Sequence, residues 1–486
     1  MRTPLIPAFW LLVALTLASC GSSSSGPKTS GISYRAFVSN SVSASTLAGL
    51  FIVNAETDVH PLTLSPISAG TSPGMMVVTP NRKQTLVVTS YNNCSPTPPS
   101  PACQFSIITN AAESNASNLT LPGYSESVIV SPDSSTAYVA VPSAKVVNSN
   151  PGAIELYALT TSPPGGTAGE IDIPAVQYLA IDNGGDRLLA FSPNGTNPNS
   201  VAVVTPSNLG TDNPVVTYVA LSGNPIPVQA FFSSDDTTAY VINCGPECGG
   251  TQASVETIDM TTSPPTAGGP GVTCTLGGRC LGTVNLPAGS VGLLNGTTLY
   301  VAGTPYSSSG ESFTCTGKEG ETLNCGTLSI VDISTLTAPT VGVAITDGYH
   351  NRIAMGANGQ LFIGAQTCTE IIPPTTPPPP GSEVRGCLSI YNTLTTAVGA
   401  VPPGGVVIPP ANGNVTGLQP IANRDVVYVV QGYPTPGGSL FIYCTVLDAN
   451  AACPIADALQ APPYPVEPTY APLMVGSFYD VKTVDF

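Results

Sequence analysis

SPDSSTAYVA, at residues 131 to 140, returns as SSDDTTAYVI at 233 to 242. The same register recurs along the chain. AFVSN places Phe37 where the first copy has Tyr138, TPNRKQTLVVTS places Leu86 there, and DNGGDRLLAFS places Leu188. SSDDTTAYVIN, LNGTTLYVAG, GANGQLFIGA and ANRDVVYVVQG contribute Tyr240, Tyr300, Phe362 and Tyr428, so that the successive spacings are 49, 52, 50, 52, 60, 62 and 66 residues. Eight units in one register restrict the chain to a repeat architecture.

Each copy is followed by a second strand signal: GLFIVN at 49, QFSIIT at 104, AIELYAL at 153, SVAVVT at 200, SVETIDM at 254, TLSIVDI at 327, CLSIYNT at 387 and SLFIYCT at 439. Several copies are preceded by an apolar run ending in a turn, as in SVIVSPDSS and QYLAIDNGG. One unit therefore reads as strand A, a turn rich in Pro, Asp, Asn and Gly, strand B, a loop, strand C, a turn and a weaker strand D. Four antiparallel strands in about 50 residues are the size of a propeller blade. Apolar residues on both faces of strand B, as in AYVAV, suit strands buried between stacked blades. A β-helix needs shorter rungs, and a sandwich does not repeat its register. Composition agrees: only 9% of residues are charged, while 49 Gly and 50 Pro supply turns. The expected fold class is all-β.

SPDSSTAYVA followed by GAIELYAL resembles the YVTN type of β-propeller repeat, with its Pro-Asp turn, Tyr-Val strand and Gly-led Ile-rich strand. The likeness spans residues 33–486 and departs from the family in its longer units and in the frequent loss of the Pro-Asp turn. It implies a propeller related to lactonase-like proteins. The count of B and C pairs gives eight blades, with seven as the alternative. The chain enters its first unit at strand B, so the final segment FYDVKTVDF is expected to supply the missing strand A and close the ring.

The N-terminus gives an address. MRTPLIPAFWLLVALTLASC has the charged start, apolar centre and small-residue end of an export signal, too short for a membrane span. Leu17, Ala18, Ser19 and Cys20 resemble a bacterial lipobox, which implies cleavage after residue 19 and a diacylglycerol on the Cys20 thiol. Residues 20–32 then form a Gly and Ser tether. Cleavage removes Arg2 and no acid, so 12 bases against 29 acids leave a net charge of −17. That charge repels a phosphate backbone, and nucleic acid is not an expected partner. The expected location is the bacterial cell envelope, with Gly21 favouring the outer membrane under the sorting rule of enteric bacteria, and the membrane is met through the lipid alone. The expected state is a monomer.

Thirteen Cys less Cys20 leave twelve, an even number for an oxidising compartment. Neighbouring positions suggest Cys94 with Cys103, Cys244 with Cys248, Cys274 with Cys280, Cys315 with Cys325, Cys368 with Cys387 and Cys444 with Cys453. Four of these pairs fall between strands B and C of their own units, which puts them on one face of a propeller. No pair has the spacing of a zinc site, and no metal or cofactor is expected. The loops at 303–325 and 366–386 are the longest on that face, and the second carries the polyproline run IIPPTTPPPPGS.

Chemistry is scarce. Beyond residue 20 the only histidines are His60, in a turn after strand C, and His350, so a catalytic triad lacks bases. No phosphate loop, nucleophile elbow or zinc-protease motif occurs. The remaining place to search is the channel mouth, where strand A begins. Its candidates are Glu126, Gln177, Tyr178, Gln229, His350, Arg352 and Gln419. Amides bind sugars and peptides but do not titrate. The sequence thus points to a binding or scaffold module for a protein or surface polymer through the stapled loops. The alternative is a lactonase-like hydrolase, which requires Glu126, His350 and Arg352 to converge.

Overall fold

A computed structural model describes residues 29–41, 48–90, 93–95, 100–146, 149–205, 215–223, 225–275, 278–305, 313–316, 320–338, 342–369, 385–395, 403–409, 413–422, 424, 426–432, 438–444 and 469–485. The export signal, Cys20 and most of the tether lie outside these residues. The fold is an all-β propeller of seven sheets of four or more antiparallel strands. All eight B strands, from Arg35–Asn40 to Val426–Gly432, are present, as are all eight C strands from Gly49–Asn54 to Gly438–Cys444.

Eight pairs in seven sheets follow from one strand. Thr469–Thr483 is 15 residues long; its first part pairs with Gly438–Cys444 and its last part with Arg35–Asn40. The first and last units are thereby fused into one six-stranded sheet. The expected eight blades are therefore seven, the alternative count, although the expected ring closure by the C-terminal segment is present. Ala36 faces Thr483 and Asn40 faces Phe478 in that pairing.

Polar clasps reinforce the closure. Arg35, 1% exposed, donates from Nε to Asp485 Oδ2 at 2.8 Å, from Nη2 to Asp485 Oδ1 at 2.8 Å, and from Nη1 to Glu113 Oε1 at 2.8 Å. Arg424 forks onto Asp58 at 2.6 and 2.8 Å, and the buried Tyr428 hydroxyl donates to the same carboxylate at 2.5 Å.

The repeated decapeptide is an A–B turn and a doubly buried strand. The amide of the fourth turn residue donates to the first carbonyl in each of four turns: Arg82 to Thr79, Ser134 to Ser131, Gly185 to Asp182, and Asp236 to Ser233. All four donors have positive φ, between 55° and 78°. Three are not glycine, so the side chains around them must stabilise the bend. Asp133 Oδ1 accepts from Ser131 Oγ and the Ser135 amide, while Asp235 does the same for Ser233 and Thr237. Asn183 then bonds Asp236 in the next sheet, so the turns also link neighbours. In the following strand Ala137, Val139 and Val141 face the preceding sheet, and Tyr138 and Ala140 face the next. Burial on both faces explains the all-apolar pattern of that strand.

Five of the expected disulfides are present: Cys94–Cys103, Cys244–Cys248, Cys274–Cys280, Cys315–Cys325 and Cys368–Cys387. The sixth, Cys444–Cys453, lies outside the described residues. The bridges suit an extracytoplasmic compartment. Among the described residues, no helix is long and apolar enough to cross a membrane.

Candidate functional site

The propeller channel is lined by the inner strand of each sheet, with Thr469–Thr483 adding a further edge through its last residues. Several inner strands are irregular. Register shifts interrupt Pro73–Val78, Ile226–Phe232, Tyr349–Met355 and Asn414–Pro420. Bulges re-aim side chains, and here they decide which residues reach the channel.

The mouth on the B–C loop face holds a cavity of about 650 Å³, to which Glu126, Gln177, Tyr178, Gln229 and Arg352 all contribute. Glu126 is exposed, and its Oε2 accepts from Gln177 Nε2 at 2.7 Å. The same amide nitrogen lies 3.0 Å from the Tyr178 hydroxyl, and Gln177 Oε1 accepts from Asn194 at 3.2 Å. Gln229 is committed elsewhere. Its Oε1 accepts from the Gly292 amide at 2.8 Å and its Nε2 donates to the Gly292 carbonyl at 3.3 Å, stitching two sheets together. Arg352 donates from Nε to the Thr416 carbonyl at 2.7 Å and from Nη1 to the Asn351 carbonyl at 3.0 Å. No carboxylate pairs with it among the described residues.

Two sequence candidates do not reach the mouth. His350 is fully buried behind the wall, where Nε2 donates to the Thr346 carbonyl at 3.0 Å and Nδ1 has no partner. Burial pushes its pKa down to about 4, opposed by the Thr346 bond. In a regular strand His350 and Arg352 would share a face, but register shifts on either side of His350 turn Arg352 to the channel and His350 inward. Gln419 sits near the end of its inner strand, not the beginning, and lines the opposite end of the channel with its Nε2 on the Pro420 carbonyl. His60 is half-buried; its Nδ1 meets the Ile52 carbonyl at 2.9 Å, and its ring stands edge-on to Phe51.

The sequence reading missed three tyrosines. Tyr124, Tyr349 and Tyr479 join Tyr178 around the cavity. Burial is the largest cause raising the pKa of Tyr124 and of Tyr178, and the paired hydroxyls, Tyr479 and Tyr349, together with the Glu126 charge, add to it. Tyr349 and Tyr479 are raised by burial as well. These phenols stay protonated at neutral pH and act as hydrogen-bonding groups rather than bases. The signal was available for Tyr479, because it lies at the start of the C-terminal segment expected to serve as strand A.

Glu247, within the Cys244–Cys248 loop, lies behind this wall. Its Oε2 accepts from the Thr304 amide at 3.0 Å. Burial raises its pKa to about 7, against the opposing bonds from Thr304, Gly289 and Ser290. Among the described residues, no group of His, Cys, Asp and Glu is arranged to hold a metal ion.

No protein-family model matches the chain, and no curated protein matches it in sequence. Solved structures do share the shape. Hydrazine synthase of Kuenenia stuttgartiensis is 11% identical, with 80% of this chain and 100% of that one covered and a TM-score of 0.51. The dihydro-heme d1 dehydrogenase NirN in complex with DHE is 9% identical, with 93% and 75% covered and a TM-score of 0.52. The periplasmic gluconolactonase PpgL of Pseudomonas aeruginosa is 12% identical, with 93% and 98% covered and a TM-score of 0.47. At such identities the likeness to the first two is one of fold alone.

Proposed function

We propose that the protein is a binding propeller of the bacterial cell envelope, anchored by a lipid on Cys20, which takes a polar segment of a surface polymer into its disulfide-stapled mouth. One observation carries this reading. The cavity offers four protonated tyrosines, Gln177 and a single exposed acid, and it opens on the face that bears four of the five disulfides. Aromatic rings with hydroxyl and amide edges bind sugar-like groups by stacking and hydrogen bonding. The stapled loops hold that surface rigid and limit the entropy lost on binding.

The test is a glycan array probed with the lipid-free mature chain and with its Tyr178→Ala variant. Retention of a glycan by the parent and its loss in the variant are expected. Equal retention by both would remove the mouth from the binding reaction.

A lactonase-like hydrolase is the second reading, favoured by the presence of Glu126 and Arg352 in one cavity. It requires Glu126 to activate water without His350, because that ring is sealed from the channel. Lactone opening above the spontaneous rate, abolished by Glu126→Gln, would support it. A flat trace with sugar lactones in a pH-stat would exclude it.

A further inference from the structure

The opposite end of the channel holds a second cavity of about 410 Å³, formed by the inner strands Pro73–Val78, Tyr349–Met355 and Asn414–Pro420 with the end of Thr469–Thr483. Its charged lining consists of Arg82, Arg352 and Lys482 against one acid, Asp480. The whole chain has only 13 Lys and Arg residues and a net charge of −16, so three cations around one opening run against the protein's overall field.

The single acid is occupied. Asp480 is 1% exposed, its Oδ2 accepts from the Met76 amide at 2.9 Å, and its Oδ1 accepts from the Val481 amide at 2.8 Å. Lys482 reaches that Oδ1 only at 3.4 Å, and its side chain remains 27% exposed. Arg352 is held by two carbonyls, and Arg82 Nη1 lies on the carbonyls of Thr483 and Asp485 at 3.1 and 3.2 Å. The two carbonyl bonds orient the Arg352 guanidinium without neutralising it. Low-dielectric walls strengthen the field of such charges at the opening.

We propose that this end of the channel is a binding site for an oxyanionic group of the phosphate or sulfate class, held between Lys482 and Arg352. Guanidinium and ammonium groups form their strongest hydrogen bonds with such oxygens. The Thr483 and Gln419 side chains at the rim add polar neighbours. The site shares Met75 and Arg352 with the tyrosine-lined mouth, whereas Lys482 lines this end alone.

Isothermal titration of the lipid-free mature chain in low-chloride buffer tests this with inorganic phosphate and with glycerol 3-phosphate. Both binding would mean that the group is recognised when carried by a larger molecule, and inorganic phosphate alone would mean a free ion. Either supports the site if Lys482→Met weakens binding about tenfold or more while the thermal midpoint stays near that of the parent. Lys482→Arg, which keeps the charge, should retain binding, and Tyr178→Ala should leave phosphate affinity unchanged while abolishing glycan retention. No heat with either phosphate at millimolar concentration, or equal affinity in Lys482→Met, overturns the proposal.

Discussion

Replacing Arg35 should unfasten the ring. The guanidinium is almost fully enclosed, and its partners Glu113 and Asp485 have side chains only 4% and 13% exposed. Removing one member of a buried ion pair costs about 3–5 kcal/mol, because the remaining charge stays buried without its counterion. Asp485→Asn leaves Arg35 with Glu113 and belongs at the lower end of that range. Arg35→Met strands two carboxylates at once and belongs at the upper end. For about 450 residues the entropy of unfolding is about 1 kcal/mol/K, so these costs correspond to falls in Tm of about 3 and 5 °C. Scanning calorimetry with the disulfides intact measures both, and the double variant gives the coupling. If Arg35→Met lies within about 1 kcal/mol of the parent, as an exposed pair would, the latch is not what closes the ring.

Further outcomes concern groups away from the mouth. Glu247 has its pKa raised to about 7 by burial, so the folded chain keeps a proton that the unfolded chain releases in the ordinary carboxylate range. Its contribution to stability is lost as pH rises through about 7, and Glu247→Gln should remove that fall in urea midpoints. His350 is depressed to about 4, so its contribution is lost as pH falls from the ordinary imidazole range toward that value. His350→Gln should therefore tilt the pH profile in the opposite direction to Glu247→Gln, and it should leave glycan retention unchanged. Deleting residues 371–384 should leave Tm unchanged. Extending the deletion through Arg385 should lower it, because that side chain is 2% exposed and donates to the Asn324 carbonyl and the Cys325 sulfur.

The repeat was legible because its cause is local. The Ser131 and Asp133 side chains and the Ser134 amide close a turn among themselves, and Ala137 to Val141 are apolar on both faces whatever lies beyond them. Sequence patterns carry such constraints, and all eight hairpins could be placed from them. The blade count could not be read in the same way. It depends on Thr469–Thr483 running unbroken through two units, and in the sequence that strand is interrupted by Pro472 and Gly476. Channel positions were harder still, because alternation predicts direction only in a regular strand. The shifts around His350 reverse that rule at the one histidine on which a hydrolytic reading depended.

A feature repeated in every unit, such as the large apolar side chain at the centre of strand B, is explained by packing, so specificity must reside where the units diverge. They diverge at both ends of the channel. At the mouth the inner strands begin with Glu126, Tyr178 or Tyr349, and at the far end they finish beside Arg82, Gln419 or Lys482. Only Met75 and Arg352 line both cavities. Since Arg352 is held by the Thr416 and Asn351 carbonyls, a ligand that pulls it toward one end must loosen the same two bonds that position it for the other. Arg352→Met should therefore weaken phosphate binding and alter glycan retention together, whereas Lys482→Met should affect phosphate alone. Parallel loss in both assays for Arg352→Met, beside the separate effects of Lys482→Met and Tyr178→Ala, would identify that guanidinium as the element common to the two cavities.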